Sequence, residues 1–297
     1  MNSGILLIDK PAGVTSFQVV RRVRIKLSIR KIGHLGTLDP FATGLLPLCL
    51  KEATKLVPYL MPEPKTYRAV VRLGVTTDTQ DLTGQVVARC EMLPAPEAVG
   101  RAARGFVGEL QQTPPMYSAL HHQGQRLYRL ARRGEVVELQ PRMVVIHRLT
   151  VDEVDLPLVT LTVTCSQGTY IRTLAADLGA ALGCGGHLAA LRRIAVGPFR
   201  VEEALPLAAL EELALEEISR RIMPLAHCLP GMKRVSVGPE QARQMRQGRP
   251  LMYAADGLAP GEQVQVVTDA GLVAVARVQG RAPQACLSPM RVFAPEG

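Results

Sequence analysis

The chain has 297 residues, 47% of them apolar, and a formal net charge of +9. That length suits about two domains with a sizeable core, and no run approaches the roughly 18 apolar residues that a membrane helix needs. The first eleven residues lack the basic-then-apolar layout of a secretory signal, and the six cysteines form no C-x-x-C pair and no Cys/His cluster, which argues against a zinc site or a disulfide framework.

Residues 4–9 (GILLID) read as a short buried strand, and Thr15 with Gln18 three positions on resembles a capping box that starts a basic helix running to about Leu27. Between Asp9 and Asp39 there is no acid, while Lys10, Arg21, Arg22, Arg24, Lys26, Arg30 and Lys31 accumulate. A one-signed stretch of this kind either attracts polyanions or forms a solvated helix face. Residues 33–40 (GHLGTLDP) contain two glycines and end in Asp-Pro, which opposes regular structure and favours a shaped loop. From 66 to 73 the pattern alternates, with Tyr67, Ala69, Val71 and Leu73 on one face and Arg68 and Arg72 on the other, predicting a half-buried strand.

A helix is predicted over about 96–106, then a Pro-Pro loop, then a basic amphipathic segment over 123–133. Strands are predicted at 142–149 and 157–166, a helix at 171–182 that Gly183 ends, and an acidic helix carrying Glu211, Glu212, Glu216 and Glu217. After Pro230-Gly231 the chain turns to short Val-containing runs broken by Gly and Pro, which suits a small β domain with one helix near 240–247.

Two clusters could carry chemistry. Asp39 sits on the glycine-bearing loop beside the basic stretch, with His34 five residues before it, and a carboxylate in an electropositive loop can act as nucleophile or base. An Asp-Pro turn without chemistry is the competing explanation. In GTYIR (168–172), a strand hands over to a helix and presents Tyr170 for stacking and Arg172 for a carboxylate or phosphate, unless Tyr170 simply packs. There is no Walker A loop, dinucleotide fingerprint, nucleophile elbow or HExxH helix, which disfavours nucleotide-driven and metal-driven chemistry.

Taken together, GILLIDKPAGVTS (4–16), GHLGTLDPFATGLLPLCLKEATKL (33–56), KTYRAVVRLGVTTDTQDLTG (65–84), QTPPMYSALHHQGQRLYRLARRG (112–134) and CSQGTYIRTLAADLGAALGCGGHLAALRR (165–193) resemble the TruB family. These are the tRNA pseudouridine synthases that act on the T-loop uridine at tRNA position 55. The resemblance runs along essentially the whole chain and thins in the tail. It implies an α+β fold: a pseudouridine synthase catalytic domain over 1–230, with a mixed, mostly antiparallel sheet flanked by helices, followed by a small PUA-like β-barrel over 231–297. It also implies Asp39 as nucleophile, His34 at the gap left by the flipped base, Tyr67 stacked on the target uracil, Tyr170 and Leu191 in the pocket, and Arg172 paired with Asp39. Lys10 and Lys55 are expected only as support or RNA contacts. No cofactor, metal or guide RNA is expected. The expected partner is the T-arm of tRNA, with the 123–133 segment as a clamp over it, and a cytoplasmic monomer is anticipated. Two other readings stay open: a non-catalytic RNA-binding or RNA-folding protein, and a guide-RNA-dependent synthase. The carboxylate in GHLGTLDP argues against the first, because a pure binder has no need of a carboxylate facing phosphates.

Overall fold

The computed structural model describes residues 2–295 apart from 61–62, 118–120, 123, 128–129, 131–132, 136, 254–256 and 281–284. The chain opens with β1 (Gly4–Lys10), α1 (Ser16–Leu27), β2 (Ile32–His34) and β3 (Thr43–Leu50). It continues through β4 (Lys65–Leu73), β5 (Val75–Thr77), β6 (Val86–Arg89), α2 (Pro96–Arg104) and β7 (Gly108–Gln112). Two-residue strands β8 (His121–His122) and β9 (Gln125–Arg126) precede β10 (Arg142–Asp155), β11 (Leu158–Cys165), α3 (Ile171–Ala181) and β12 (Gly186–Val196). Short pieces follow: β13 (Phe199–Arg200), β14 (Leu205–Pro206), α4 (Ala209–Glu212), α5 (Leu215–Arg220) and β15 (Met223–Pro224). The tail holds β16 (Arg234–Ser236), α6 (Pro239–Arg246), β17 (Leu251–Tyr253), β18 (Gln263–Thr268), β19 (Gly271–Gln279) and β20 (Ala285–Val292).

One large sheet runs β14-β1-β3-β12-β4-β11-β10-β7, and its pairings are antiparallel except β1 with β14 and β3 with β12. The alternation over β4 does what it predicted: Tyr67, Ala69, Val71 and Leu73 are buried, with Arg68 and Arg72 exposed. That buried face packs on α3 through Ile171, Leu174, Ala175 and Leu178, and Val99 of α2 joins the same core. On the other half of the sheet, Val19, Val20 and Val23 of α1 pack against Leu6 and Ile8 of β1 and Leu46 and Leu48 of β3. The α1 capping box forms as expected, since the Gln18 amide donates to Thr15 Oγ1 at 3.1 Å and the Thr15 amide to Gln18 Oε1 at 2.7 Å.

The tail forms a second sheet in the order β16-β18-β19-β20-β17, the small PUA-like unit that the resemblance implied. It does not hang free. Leu272, Val275 and Phe293 share one apolar cluster with Ile5, Cys49, Ala53 and Leu56 of the first sheet and the segment after it.

Local expectations were corrected in three places. His34 and its two predecessors are a short strand paired with Cys49 and its neighbours, so the shaped loop starts only at Leu35. The acidic helix is two short helices, because the backbone at Leu213 and Ala214 is extended. β10 runs to Asp155, well past the expected end. Much of the expected clamp, including Arg129 and Arg132, lies outside the described residues.

Candidate active site

The loop 35–42 that carries Asp39 is held by side chains from three directions. From the N-terminal motif, the fully buried Lys10 donates to the carbonyls of Pro11 (2.9 Å), Val14 (2.8 Å) and Pro40 (3.2 Å). Burial and the Arg193 guanidinium push the Lys10 ammonium down to about 8, with Asp39 pulling it back, so at neutral pH its three protons still match three acceptors. At the start of α1, Ser16 Oγ accepts from the Leu38 amide at 2.9 Å and donates to the Leu38 carbonyl at 3.1 Å. From β12, the buried Arg193 donates to the carbonyls of Leu45 (2.8 Å), Gly36 (3.0 Å) and Thr37 (3.4 Å). Gly44 lets β3 approach β12 closely enough for this: a Cβ there would lie 2.2 Å from the Arg193 carbonyl oxygen. Lys10→Met should therefore take the donor from the Pro11 and Val14 carbonyls, while Pro40 keeps the Gly13 amide at 2.9 Å, and lower stability by about 3 kcal/mol, which a urea melt would register as an earlier midpoint.

Asp39 meets Arg172 across the cleft, with Arg172 Nε 3.0 Å from Asp39 Oδ2. Arg172 stands in the first turn of α3, 4% exposed, and all of its nitrogens are engaged. Nη1 donates to the Thr79 carbonyl (3.2 Å) and lies 3.5 Å from Asp81 Oδ2, while Nη2 donates to the Tyr117 carbonyl at 2.7 Å. Asp81 is fixed in turn, since its Oδ1 accepts from Thr83 Oγ1 (2.6 Å), Thr79 Oγ1 (2.8 Å) and the Thr83 amide (2.9 Å). Burial pushes the Asp39 carboxyl above its ordinary range, and Arg172 pulls it down against that. Desolvation is the larger of the two influences.

The two form one wall of a cleft of about 310 Å³ that is also lined by Lys65, Tyr67, Tyr170, Leu191 and Arg193. Tyr67 is 8% exposed, and burial holds its phenol proton on. Tyr170 is the residue before α3, and the buried Gln112 grips its backbone twice: the Tyr170 amide donates to Gln112 Oε1 at 2.7 Å, and Gln112 Nε2 donates to the Tyr170 carbonyl at 3.1 Å. Five of the six predicted residues therefore converge: Asp39, Tyr67, Tyr170, Arg172 and Leu191. His34 is not among the lining residues. It is half-buried on β2 with Nδ1 unpaired, and burial, then Arg193, hold its pKa below the usual value.

Sequence reasoning missed Asp81, Arg193, Lys65, Ser16 and Gln112. Lys55 proves structural: it pairs with Glu52 at 2.6 Å, donates to the Val292 carbonyl at 3.3 Å and lies 6.0 Å from the Phe293 ring centroid, tying the tail to the first sheet. Among the described residues, no three His, Cys, Asp or Glu side chains gather as a metal-ligating group.

This arrangement, a carboxylate fixed by a guanidinium beside two aromatic rings, can be set beside known proteins. The sequence matches the model of the TruB family pseudouridylate synthase N-terminal domain over 24–171 and that of the tRNA pseudouridylate synthase B C-terminal domain over 172–230. The chain belongs to the TruB family. A relative in Geobacter sulfurreducens named tRNA pseudouridine synthase B is 44% identical over 281 residues, covering 92% of either chain. Another of that name, in Dechloromonas aromatica, is 48% identical over 256 residues, covering 86% of this chain and 85% of the relative. Among solved structures, an H/ACA RNP bound to a substrate RNA containing 2′-deoxyuridine superposes with a TM-score of 0.74 at 25% identity, covering 98% of this chain and 85% of that one. A Cbf5-Nop10-Gar1 complex gives 0.72 at 26% identity, covering 98% and 85%. The likeness to these solved structures covers 98% of the chain and so reaches into the tail beyond residue 230, where the two family models end.

Proposed function

We propose that this TruB-family chain is a stand-alone tRNA pseudouridine synthase that isomerises the T-loop uridine at tRNA position 55. The observation that carries the reading is Asp39, 3.0 Å from Arg172 in a cleft shared with Tyr67 and Tyr170. The names and near-complete coverage of the bacterial relatives support tRNA as substrate. We read 1–230 as the catalytic unit and 231–297 as an appended RNA-binding unit, acting together as a cytoplasmic monomer without guide RNA.

The isomerisation breaks the N1–C1′ bond of the nucleotide, turns the uracil and forms a C5–C1′ bond, after which the C5 proton leaves. No electron enters or departs. Asp39 would act on C1′, on C6 or on the 2′ hydrogen, and each route needs an ionised carboxylate at fixed distance from the sugar and base. Arg172 supplies the fixing and part of the charge balance. Because the target base is stacked in a folded loop, it must be extruded at a cost of a few kcal/mol, and stacking on Tyr67 offsets part of that. The neutral His34, half-buried on β2, suits the expected role at the gap left by the base. The basic residues of α1 suit backbone phosphates.

A mapping experiment tests the substrate assignment. An unmodified tRNA transcript incubated with the protein alone, then treated with carbodiimide and reverse transcribed, should give one new stop, in the T-loop. A stop elsewhere, or several stops, would refute the assigned position while leaving the chemistry standing.

A further inference from the structure

Lys65 is the one charged lining group of the cleft with a buried side chain and no hydrogen bond or ion pair from its ammonium among the described residues. It opens β4 two residues before Tyr67 and on the same strand face, a spacing of roughly 7 Å, and is 8% exposed. The charged groups around it are occupied elsewhere. Arg193 serves the loop carbonyls, Arg172 holds Asp39, and Glu63 accepts from the Gln167 amide at 3.1 Å. Gly36 leaves room for the ammonium: a Cβ built there would lie 3.2 Å from Lys65 Nζ and 3.5 Å from Arg193 Nη1. An ammonium at the end of a buried side chain, open to the cleft and without a protein acceptor, is available to a group bound there.

We propose that Lys65 is a further catalytic residue, whose ammonium donates to a uracil carbonyl oxygen and stabilises the negative charge that the base acquires when its bond to C1′ breaks. This rests on the isomerase reading above. When the N1–C1′ bond breaks, its electron pair stays with the uracil, where it is shared between N1 and the carbonyl oxygens O2 and O4. Lys65 gives no proton up; it holds a hydrogen bond that strengthens as charge develops and weakens again when C5 joins C1′. Fixed donors of this kind act most strongly in a water-poor site. The flanking phosphate is the other anionic oxygen within a nucleotide's reach, and a lysine reserved for it would affect affinity rather than the bond-breaking step.

The ammonium is faced by Arg193 from β12, the Cys165 thiol from β11 and Glu63 from the preceding segment. Burial, then Arg193, hold its pKa below the ordinary lysine value, with Cys165 and Glu63 opposing. The active form is the protonated one, so the rate should be full below that lowered pKa and fall as pH rises through it.

The test is single-turnover tritium release from tRNA labelled at uracil C5, with enzyme in excess, for the wild type, Lys65→Met, Lys65→Gln and Lys65→Arg. Binding of the same tRNA is measured alongside. The proposal expects both neutral variants to react about 100-fold more slowly at saturation, with Kd changed less than about threefold. They should also lose the alkaline limb of the pH profile, and Lys65→Arg should recover much of the rate. Wild-type rates at saturation in either neutral variant would overturn it, and weaker binding with an unchanged rate would assign Lys65 to a phosphate. A wild type that releases no tritium removes the isomerase reading as well, whereas wild-type release with unaffected variants removes this inference alone.

Discussion

Asp39→Asn will bind tRNA and release no product, with single-turnover rates lower by at least about 10⁴-fold, because an amide is neither a nucleophile nor a base at this position. The fold should survive the change. Asparagine keeps the shape of the carboxylate, and Asp39 pays a desolvation cost that the neutral amide avoids, so the melting temperature should stay within a few degrees or rise. The wild-type pH profile follows from the same burial. Folded Asp39 has a raised pKa, activity needs its ionised form, and so activity should be full above that pKa and decline as pH falls through it. The decline should begin at a higher pH than for a free aspartate. An acid limb at or below the pH of a free aspartate would contradict this.

Arg172→Met is the second large effect, and it should be felt in stability and rate together. The side chain is buried and serves Asp39, Asp81 and the carbonyls of Thr79 and Tyr117, so its loss leaves two carboxylates near one another without the guanidinium that joins them. Breaking a buried pair in this way costs about 3–5 kcal/mol. Calorimetry should show a fall in melting temperature of many degrees, and the acid limb of any residual activity should move upward as Asp39 loses its counter-charge. Arg172→Lys should not rescue, because one ammonium cannot reproduce the fork that reaches four partners. Full activity in Arg172→Lys would show that charge alone suffices.

The parts of this site that were legible in the sequence are local or lie in long motifs. The α1 capping box, the alternation of β4 and the Gly183 end of α3 each depend on neighbours within a few residues, and each was read correctly. β12 was not read as a strand, although it is central to the sheet and supplies Leu191 and Arg193. Its register shifts between Leu188 and Ala190 and again between Arg193 and Ala195, which breaks the two-residue period, and its buried Arg193 looks like a surface residue in a list of letters. Lys10 was counted with a basic stretch for the same reason, yet it is wholly buried against carbonyls. The contact of Arg172 with Asp81 spans 91 residues and leaves no local pattern. Only the resemblance to the TruB family tied Tyr67, Tyr170 and Arg172 to Asp39 in advance, and it was silent on Gln112, which fixes the Tyr170 backbone.

The most direct test of the central claim is tritium release by the purified wild-type protein from an unmodified tRNA transcript labelled at uracil C5, with no guide RNA and no added metal. The account predicts close to one tritium released per tRNA molecule, from a single uridine. Tight tRNA binding with no release would contradict it and leave an RNA-binding protein or a guide-dependent enzyme in its place.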